Sequence, residues 1–161
     1  MVDTKHSTDR RKLYFANIDA VLADVDRIVA ADKAGTLRCT GNWTAGQVMG
    51  HVASWINYAY DGFPIGKPPF FVRWILKMLK KKYLREGMPS GVKIPKTKEG
   101  TFGIEKLSTE EGATQLRKAL TRLKSSEEAK HDSPAWGPMP RDERIAINLR
   151  HAELHLSFLH S

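Results

Sequence analysis

The segment before the C-terminus carries apolar side chains around most of its circumference when it is drawn as a helix. Between about Arg141 and Leu159, a wheel at about 100° per residue confines most polar side chains to one narrow arc. That arc holds Glu143, Arg150, Glu153 and Ser157. Because such a helix alone would expose much apolar surface to water, other elements have to enclose it. The chain is therefore expected to fold around its last helix.

Apolar residues recur at three- and four-residue intervals in four earlier segments, which is the period of one buried helix face. The segments run from Ser7 to about Ala31, from Thr44 to about Ala59, from Phe70 to about Glu86, and from Ser108 to near Lys130. Two of them begin with a capping-box pair, Thr44 with Gln47 and Ser108 with Glu111, which satisfies free backbone N–H groups at a helix start. No alternating strand pattern and no repeat period are present in the sequence. It therefore predicts an all-α protein.

Length and composition limit the class of protein. With 161 residues, of which 41% are apolar, the chain has the size of one globular domain, and we predict a single domain over residues 1–161. Met1 to Lys12 is polar, unlike a secretory signal, and no run of about 18 apolar residues offers a membrane span. A cytoplasmic location is expected. Cys39 is the only cysteine, which excludes an internal disulfide and a cysteine-based zinc site.

The positive charge of the chain is concentrated in one segment. The formal net charge is +8, and residues 67–98 alone contain ten Lys/Arg and one acid, Glu86. The predicted helix 70–86 also carries large apolar residues, namely Phe70, Phe71, Trp74, Ile75 and Met78. The favoured interpretation is an ordinary helix with an apolar stripe on the core and a solvated basic face. The alternatives are a helix on a membrane surface, a site for nucleic acid or another polyanion, and a patch that attracts an anionic substrate.

Three histidines are predicted to point into the interior. His151 and His155 lie one turn apart near the middle of the apolar side of the last helix, and His51 falls in the apolar stripe of the second helix. Burying an imidazole without partners costs about 1–3 kcal/mol for each unsatisfied group. One solution is a divalent metal ion bound by His51, His151 and His155. The other is a set of packed histidines that hydrogen-bond to backbone carbonyls and hydroxyls.

The segments that contain these histidines resemble motifs of the DinB/YfiT-like proteins. Gly41-Asn-Trp-Thr-Ala-Gly-Gln-Val-Met-Gly-His51 resembles their Trp-Ser/Thr-x-x-Glu/Gln-x-x-x-His signature, and Leu149 to Leu159 resembles their closing His-x-x-x-His helix. The two motifs are about a hundred residues apart, as in that family. The loop that starts at His131 is similar to the His-Pro-x-Phe-Gly-x-Leu loop of an uncharacterised DinB-related subgroup. Pro134 and Trp136 depart from that loop pattern, so no role is assigned to His131.

The resemblance implies a four-helix bundle with a long crossover, here with an additional short helix or long loops. It also implies a nickel- or zinc-type site on His51, His151 and His155, often in a homodimer. Characterised relatives include thiol S-transferases and a mycothiol-dependent isomerase, whereas many members have no known activity. The resemblance therefore implies a metal site more strongly than it implies a reaction.

Three functions follow from these features. The first is a metal-dependent thiol transferase or hydrolase that acts on a small molecule. The second is a non-catalytic protein whose core the metal ion stabilises. The third is an interaction module that binds polyanions through helix 70–86. No catalytic residue is assigned, because Glu153, between the two C-terminal histidines in sequence, is predicted to point to the opposite side of the helix.

Overall fold

The structure is a computed structural model that describes residues 2–95, 97 and 100–161, and these residues form five helices and one very short sheet. The helices are α1 (Ile18–Lys33), α2 (Ala45–Asp61), α3 (Phe70–Glu86), α4 (Thr109–Lys124) and α5 (Arg141–Leu156). Strand β1 (Arg38–Cys39) pairs antiparallel with β2 (Leu159–His160). The prediction of a helical protein is confirmed. The sheet was not predicted, because two-residue strands are too short to show an alternating pattern.

The hydrophobic core is built by α1, α2, α4 and α5. α2 packs against α4 and α5, and α1 packs against the same two helices. Their fully buried side chains include Val21, Val25, Ile28, Met49, Val52, Ile56, Leu116, Leu120, Leu123 and Leu156. The contact between α2 and α4 is close because glycines lie in it: a Cβ on Gly46 would overlap the Leu107 carbonyl oxygen. This close contact sets the position of α2, the helix that carries His51.

α2 and α4 begin where their capping boxes predict. Thr44 Oγ1 accepts a hydrogen bond from the Gln47 N–H at 3.3 Å, and Gln47 Oε1 accepts one from the Thr44 N–H at 3.1 Å. Ser108 and Glu111 make the same reciprocal pair at the start of α4. Because each pair satisfies N–H groups that have no partner within the helix, both starts are determined by local sequence.

The first helix is shorter than predicted. It begins at Ile18 rather than Ser7, because the Asn17 side chain caps it by accepting a hydrogen bond from the Ala20 N–H at 2.9 Å. Residues 7–15 have no regular secondary structure, and the helical spacing of apolar residues begins only at Ile18. The prediction was wrong because helical spacing alone does not mark a helix start.

The predicted ends of the last two helices are also wrong. α4 ends at Lys124 rather than near Lys130, since Ser125 adopts an extended backbone with ψ of 174°. α5 ends at Leu156 rather than Leu159, since the chain then turns into β2 and pairs with β1. Both errors concern the final turn or two of a helix, where no glycine or proline marks the boundary.

The C-terminal part of the polar arc of α5, formed by Arg150, Glu153 and Ser157, is buried beneath the N-terminal segment. Glu153 forms an ion pair with Arg150 at 3.0 Å, and its carboxylate accepts a hydrogen bond from the Phe15 N–H at 2.5 Å. Arg150 donates to the Phe15 carbonyl oxygen at 2.9 Å, and Arg10 donates to Ser157 Oγ at 2.9 Å. Burial raises the pKa of Glu153 above its ordinary value. Residues 10–15 therefore replace water as the partner of this arc, and α5 is enclosed on both sides.

α3 has the predicted bounds but not the predicted packing. None of its 17 residues is buried, and large apolar side chains of this helix are exposed, Phe70 by 83% and Trp74 by 64%. α3 is attached to the protein through a different side, where Tyr83 contacts Trp136 edge-on at 5.7 Å between ring centroids. Lys80 Nζ also pairs with Glu143 of α5 at 2.6 Å. The interpretation of an apolar stripe that faces the core is therefore wrong for this helix.

The connection from α3 to α4 contains no helix or strand in its described residues. Lys96 and Lys98 of the basic segment lie outside the described residues. Across the part of the chain that is described, no helix combines the length and apolar character that a membrane crossing requires.

Candidate metal centre

The three histidines singled out in the sequence meet at one point between α2 and α5. His51 comes from α2, and His151 and His155 come from consecutive turns of α5. One ring nitrogen of each lies within 4.8 Å of those of the other two. The ring centroids are 5.1 Å apart for His51 and His151, 4.5 Å for His51 and His155, and 4.6 Å for the pair on α5. The three side chains are thus close enough to hold one metal ion.

Burial keeps all three rings uncharged at neutral pH. His51 is only 2% exposed, and burial lowers its pKa to about 4 in spite of an opposing hydrogen bond. The pKa values of His151 and His155 also lie well below the ordinary value, first because of burial and then because a neighbouring protonated ring would repel their charge. Each of these two residues as a whole is half-buried. Neutral imidazole is the form that binds metal ions.

The protonation of the His51 ring is set by a backbone carbonyl. His51 Nδ1 lies 2.8 Å from the carbonyl oxygen of Phe102. Because a carbonyl oxygen only accepts hydrogen bonds, Nδ1 must carry the proton, and Nε2 keeps its lone pair. Histidine ligands in metal sites commonly donate their second N–H to such an acceptor, which orients the ring and raises its basicity. His51 is therefore prepared to bind through Nε2.

The segment that provides this carbonyl is held tightly on α2. Gly103 has a φ of +70°, and a Cβ there would lie 2.6 Å from Ser54 Cβ, so a larger residue would push the segment away. Gln47 donates from Nε2 to the Ile104 carbonyl oxygen at 3.4 Å. These contacts fix the end of the connection between α3 and α4 one turn from His51. They therefore also fix the Phe102 carbonyl.

Tryptophan side chains cover the cluster. The Trp43 ring stacks on His155, with centroids 5.4 Å apart and an interplanar angle of 15°, and lies 5.0 Å from the His51 ring. Trp55 lies edge-on to His151 at 5.9 Å. These large rings restrict the side-chain rotamers of the histidines and remove water from part of the cluster. His151 and His155 are partly exposed as residues, whereas His51 is buried.

The donor set fits a divalent metal of the zinc or nickel type. Nitrogen–metal bonds in tetrahedral zinc sites are about 2.0–2.1 Å long, which places the ligand atoms about 3.3 Å apart. The ring nitrogens of the three histidines lie within 4.8 Å of one another, a separation that small side-chain rotations can adjust to this value. Three imidazole nitrogens suit zinc, nickel, copper or iron better than magnesium or calcium, which prefer oxygen ligands.

Other candidate residues lie away from the cluster. His131 lies beside the C-terminal end of α2, where its N–H donates to the Ala59 carbonyl oxygen at 3.0 Å and its ring borders Gly62. Ala59 is eight residues beyond His51, about 12 Å along the helix. Glu153 points away from the histidines, as predicted, and is paired with Arg150. A surface cavity of about 650 Å³ also lies elsewhere, between the end of α4 and the start of α5.

Comparison with known proteins gives a family and no function. The model of the family described as "Protein of unknown function (DUF1569)" matches residues 7–161. The chain belongs to this family. No curated protein matches the chain, and no solved structure matches it. The matched range contains His51, His151 and His155, so the histidine cluster lies within the DUF1569 domain.

Sequence reasoning about this DUF1569 protein missed the groups around the ligands. Phe102 contributes a backbone carbonyl from a long connection, and no side-chain pattern points to such a contribution. Gly103 was a usable signal, because a glycine in a polar stretch often marks a close approach of two backbones. Trp43 belongs to the motif that precedes α2, but the motif alone does not indicate that its ring stacks on His155.

Proposed function

We propose that this DUF1569 chain is a cytoplasmic protein that binds one divalent ion, zinc or nickel, through His51, His151 and His155. We further propose that its helices form a four-helix bundle of the DinB/YfiT-like type. The observation that carries the proposal is the meeting of three ring nitrogens from two helices within 4.8 Å. The Phe102 carbonyl supports it, since it leaves Nε2 of His51 free to bind.

The proposed reaction is thiol transfer or hydrolysis on a small molecule. A divalent ion at this position supplies Lewis acidity, which lowers the pKa of a water or thiol ligand. The chain contributes three neutral donors and tryptophan rings that exclude water, and two of the donors, His151 and His155, belong to partly exposed residues. The Trp55 indole N–H is buried and has no hydrogen-bond partner within the described part of the chain. It is therefore a free donor beside the cluster for a polar group of the substrate.

A non-catalytic site is the second candidate. His51 is almost completely buried, and the 650 Å³ cavity is formed by other residues, among them Lys124 and Arg141. In this case the ion would act only by stabilising the packing of α2 against α5. A homodimer, implied by the resemblance, is part of either proposal and is tested by sedimentation of the metal-loaded protein.

Metal analysis tests the proposal. Protein purified without chelators and supplemented with zinc or nickel is expected to retain about one ion per chain, as three protein ligands suffice for one site. The double variant His151→Ala/His155→Ala should lose it. His131→Ala is the matched control, because this histidine lies outside the cluster, and it should retain the ion. Equal, low metal content in the wild type and the double variant would contradict the proposal.

The same preparations separate the two candidates. A structural ion should raise the midpoint of thermal unfolding without any turnover of thiol or ester substrates. A catalytic ion should support turnover that the double variant lacks and that returns when metal is restored to chelator-treated wild type.

A further inference from the structure

Exposed apolar side chains are concentrated on one side of α3. Eight large apolar residues are exposed in the part of the chain that the structure describes, and five of them belong to this helix. These five are Phe70, Phe71, Trp74, Ile75 and Met78, exposed by between 49% and 83%. Single exposed apolar residues are ordinary on a protein surface, but a contiguous group marks a binding surface.

The five side chains form one continuous patch. At about 100° per residue they fall within an arc of about 140° on the first half of the helix. Residues three and four apart on this arc are neighbours, as Phe70 is to Trp74 and Trp74 to Met78. The opposite side of α3 is used for attachment, through Tyr83 and Lys80. The patch therefore faces outward while the helix stays fixed to the protein.

Exposed cations continue the patch toward the end of the helix. Lys77, Lys81 and Lys82 are exposed and make no ion pair with any described residue. The only acid between residues 67 and 98 is Glu86, which is already paired with Arg85 at 2.5 Å. We call the five apolar residues together with these three lysines the outer face of α3. It combines a wide apolar area with uncompensated positive charge.

We propose that the outer face of α3 docks on the surface of an anionic phospholipid bilayer. Phe70, Trp74 and their apolar neighbours enter the boundary between headgroups and acyl chains, where aromatic rings are favoured. Lys77, Lys81 and Lys82 contact lipid phosphates and carboxylates, whose negative potential attracts exposed basic residues. The helix lies on the bilayer and does not cross it.

Charge and side-chain chemistry favour a bilayer over other partners. A second copy of this chain docking face to face would bring two basic segments together, and Glu86 is the only acid of that segment. A nucleic acid would satisfy the lysines, but base stacking has no use for the aliphatic side chains of Ile75 and Met78. A bilayer with anionic headgroups satisfies both components of the outer face.

Vesicle sedimentation of the full-length protein tests this inference. The wild type is expected to bind vesicles of phosphatidylcholine with about 30% phosphatidylserine at least tenfold more tightly than pure phosphatidylcholine, and rising salt should weaken binding. Phe70→Ala/Trp74→Ala and Lys81→Glu/Lys82→Glu should each reduce binding about tenfold or more. The affected side chains are exposed, so the unfolding midpoints of both variants should match the wild type.

Two controls and one depth measurement make the test specific. Lys106→Glu/Lys118→Glu changes the net charge equally on exposed residues outside α3, and Val92→Ser removes an exposed apolar residue elsewhere. Both should bind within about twofold of the wild type. Brominated lipid should quench tryptophan fluorescence in the wild type, and Trp74→Phe should remove most of that quenching.

Several results would overturn the inference. The inference fails if the wild type does not bind vesicles, or if the control variants lose as much vesicle binding as the α3 variants. It also fails if the quenching of tryptophan fluorescence persists in Trp74→Phe. Binding of single-stranded RNA without vesicle binding would assign the face to nucleic acid instead. A dimer that Phe70→Ala/Trp74→Ala dissociates, again without vesicle binding, would assign it to a second copy.

Discussion

α2 and α3 are both 17 residues long, and both carry apolar side chains at helical spacing, yet one is the most enclosed helix and the other the least. α2 has eleven buried residues, among them His51, whereas α3 has none. α2 begins at a capping box, and α3 begins after Pro69, which makes no side-chain cap hydrogen bond. Helical spacing of apolar residues indicates that a helix has an apolar side. It does not indicate whether that side contacts the core of the protein or lies exposed.

The difference follows from side-chain size along the two helices. α2 has Gly46 and Gly50 on the side that meets α4, and a Cβ at Gly50 would already lie 2.6 Å from a Leu107 methyl group. Backbones can approach closely there, so neighbouring apolar residues become buried. The first half of α3 presents large rings such as Phe70 and Trp74 instead. Side chains of that size are better suited to contact with a binding partner outside the protein than to a close contact between two helices.

The largest expected effect comes from removing the same side chain from each helix. Ile56→Ala in α2 should lower the free energy of unfolding by about 2–5 kcal/mol, because Ile56 is 1% exposed and its loss leaves a cavity. Ile75→Ala in α3 should change it by less than about 0.5 kcal/mol, since Ile75 is 49% exposed. Urea unfolding followed by circular dichroism measures both. Equal losses in the two variants would mean that α3 is buried in solution.

The second effect concerns pH and the histidine that α2 carries. In metal-free protein, His51 stays neutral down to a pKa of about 4, while the unfolded chain takes up the proton near pH 6.5. The unfolded state therefore binds more protons below pH 6.5, and the free energy of unfolding should fall as the pH drops from 6.5 to 4. His51 alone accounts for about 3 kcal/mol of this loss.

Comparison of variants isolates that contribution. His51→Gln removes the titrating ring but keeps an N–H that can donate to the Phe102 carbonyl, so its stability should depend less on pH across this range. Ile75→Ala in α3 should keep the full wild-type pH dependence. Chemical unfolding at several pH values measures it, and identical slopes for wild type and His51→Gln would show that folding does not lower the pKa of His51.

The smallest effect concerns the two helix starts. Thr44→Ala removes the capping hydrogen bond to the Gln47 N–H and should cost about 1 kcal/mol. Thr44→Ser keeps the hydroxyl and should cost much less. Hydrogen exchange at the first turn of α2 should become faster in Thr44→Ala and approach the rate at the uncapped first turn of α3. Unchanged exchange in Thr44→Ala would mean that tertiary packing, rather than the cap, holds this turn.

The position of the histidine cluster was largely predictable because its three histidines follow helix periodicity. His151 and His155 are one turn apart, so they share a side of α5 wherever the helix packs. His51 lies three residues after the buried Val48 and four before Trp55, which places it on the same side of α2 as both. The groups around the ligands were less predictable. The Phe102 carbonyl and the rings of Trp43 and Trp55 reach the cluster through contacts between distant segments.

The sequence by itself determined the helical class, the starts of α2 and α4, and the inward direction of the three histidines. Each of these depends on residues within one or two turns, through capping hydrogen bonds and helical spacing. Tertiary structure alone decided that the C-terminal part of the polar arc of α5 lies under residues 10–15 and that α3 turns its aromatic side outward. Those outcomes depend on which surfaces meet across long sequence separations. Local spacing shows that a surface needs a partner, and only the assembled fold supplies one.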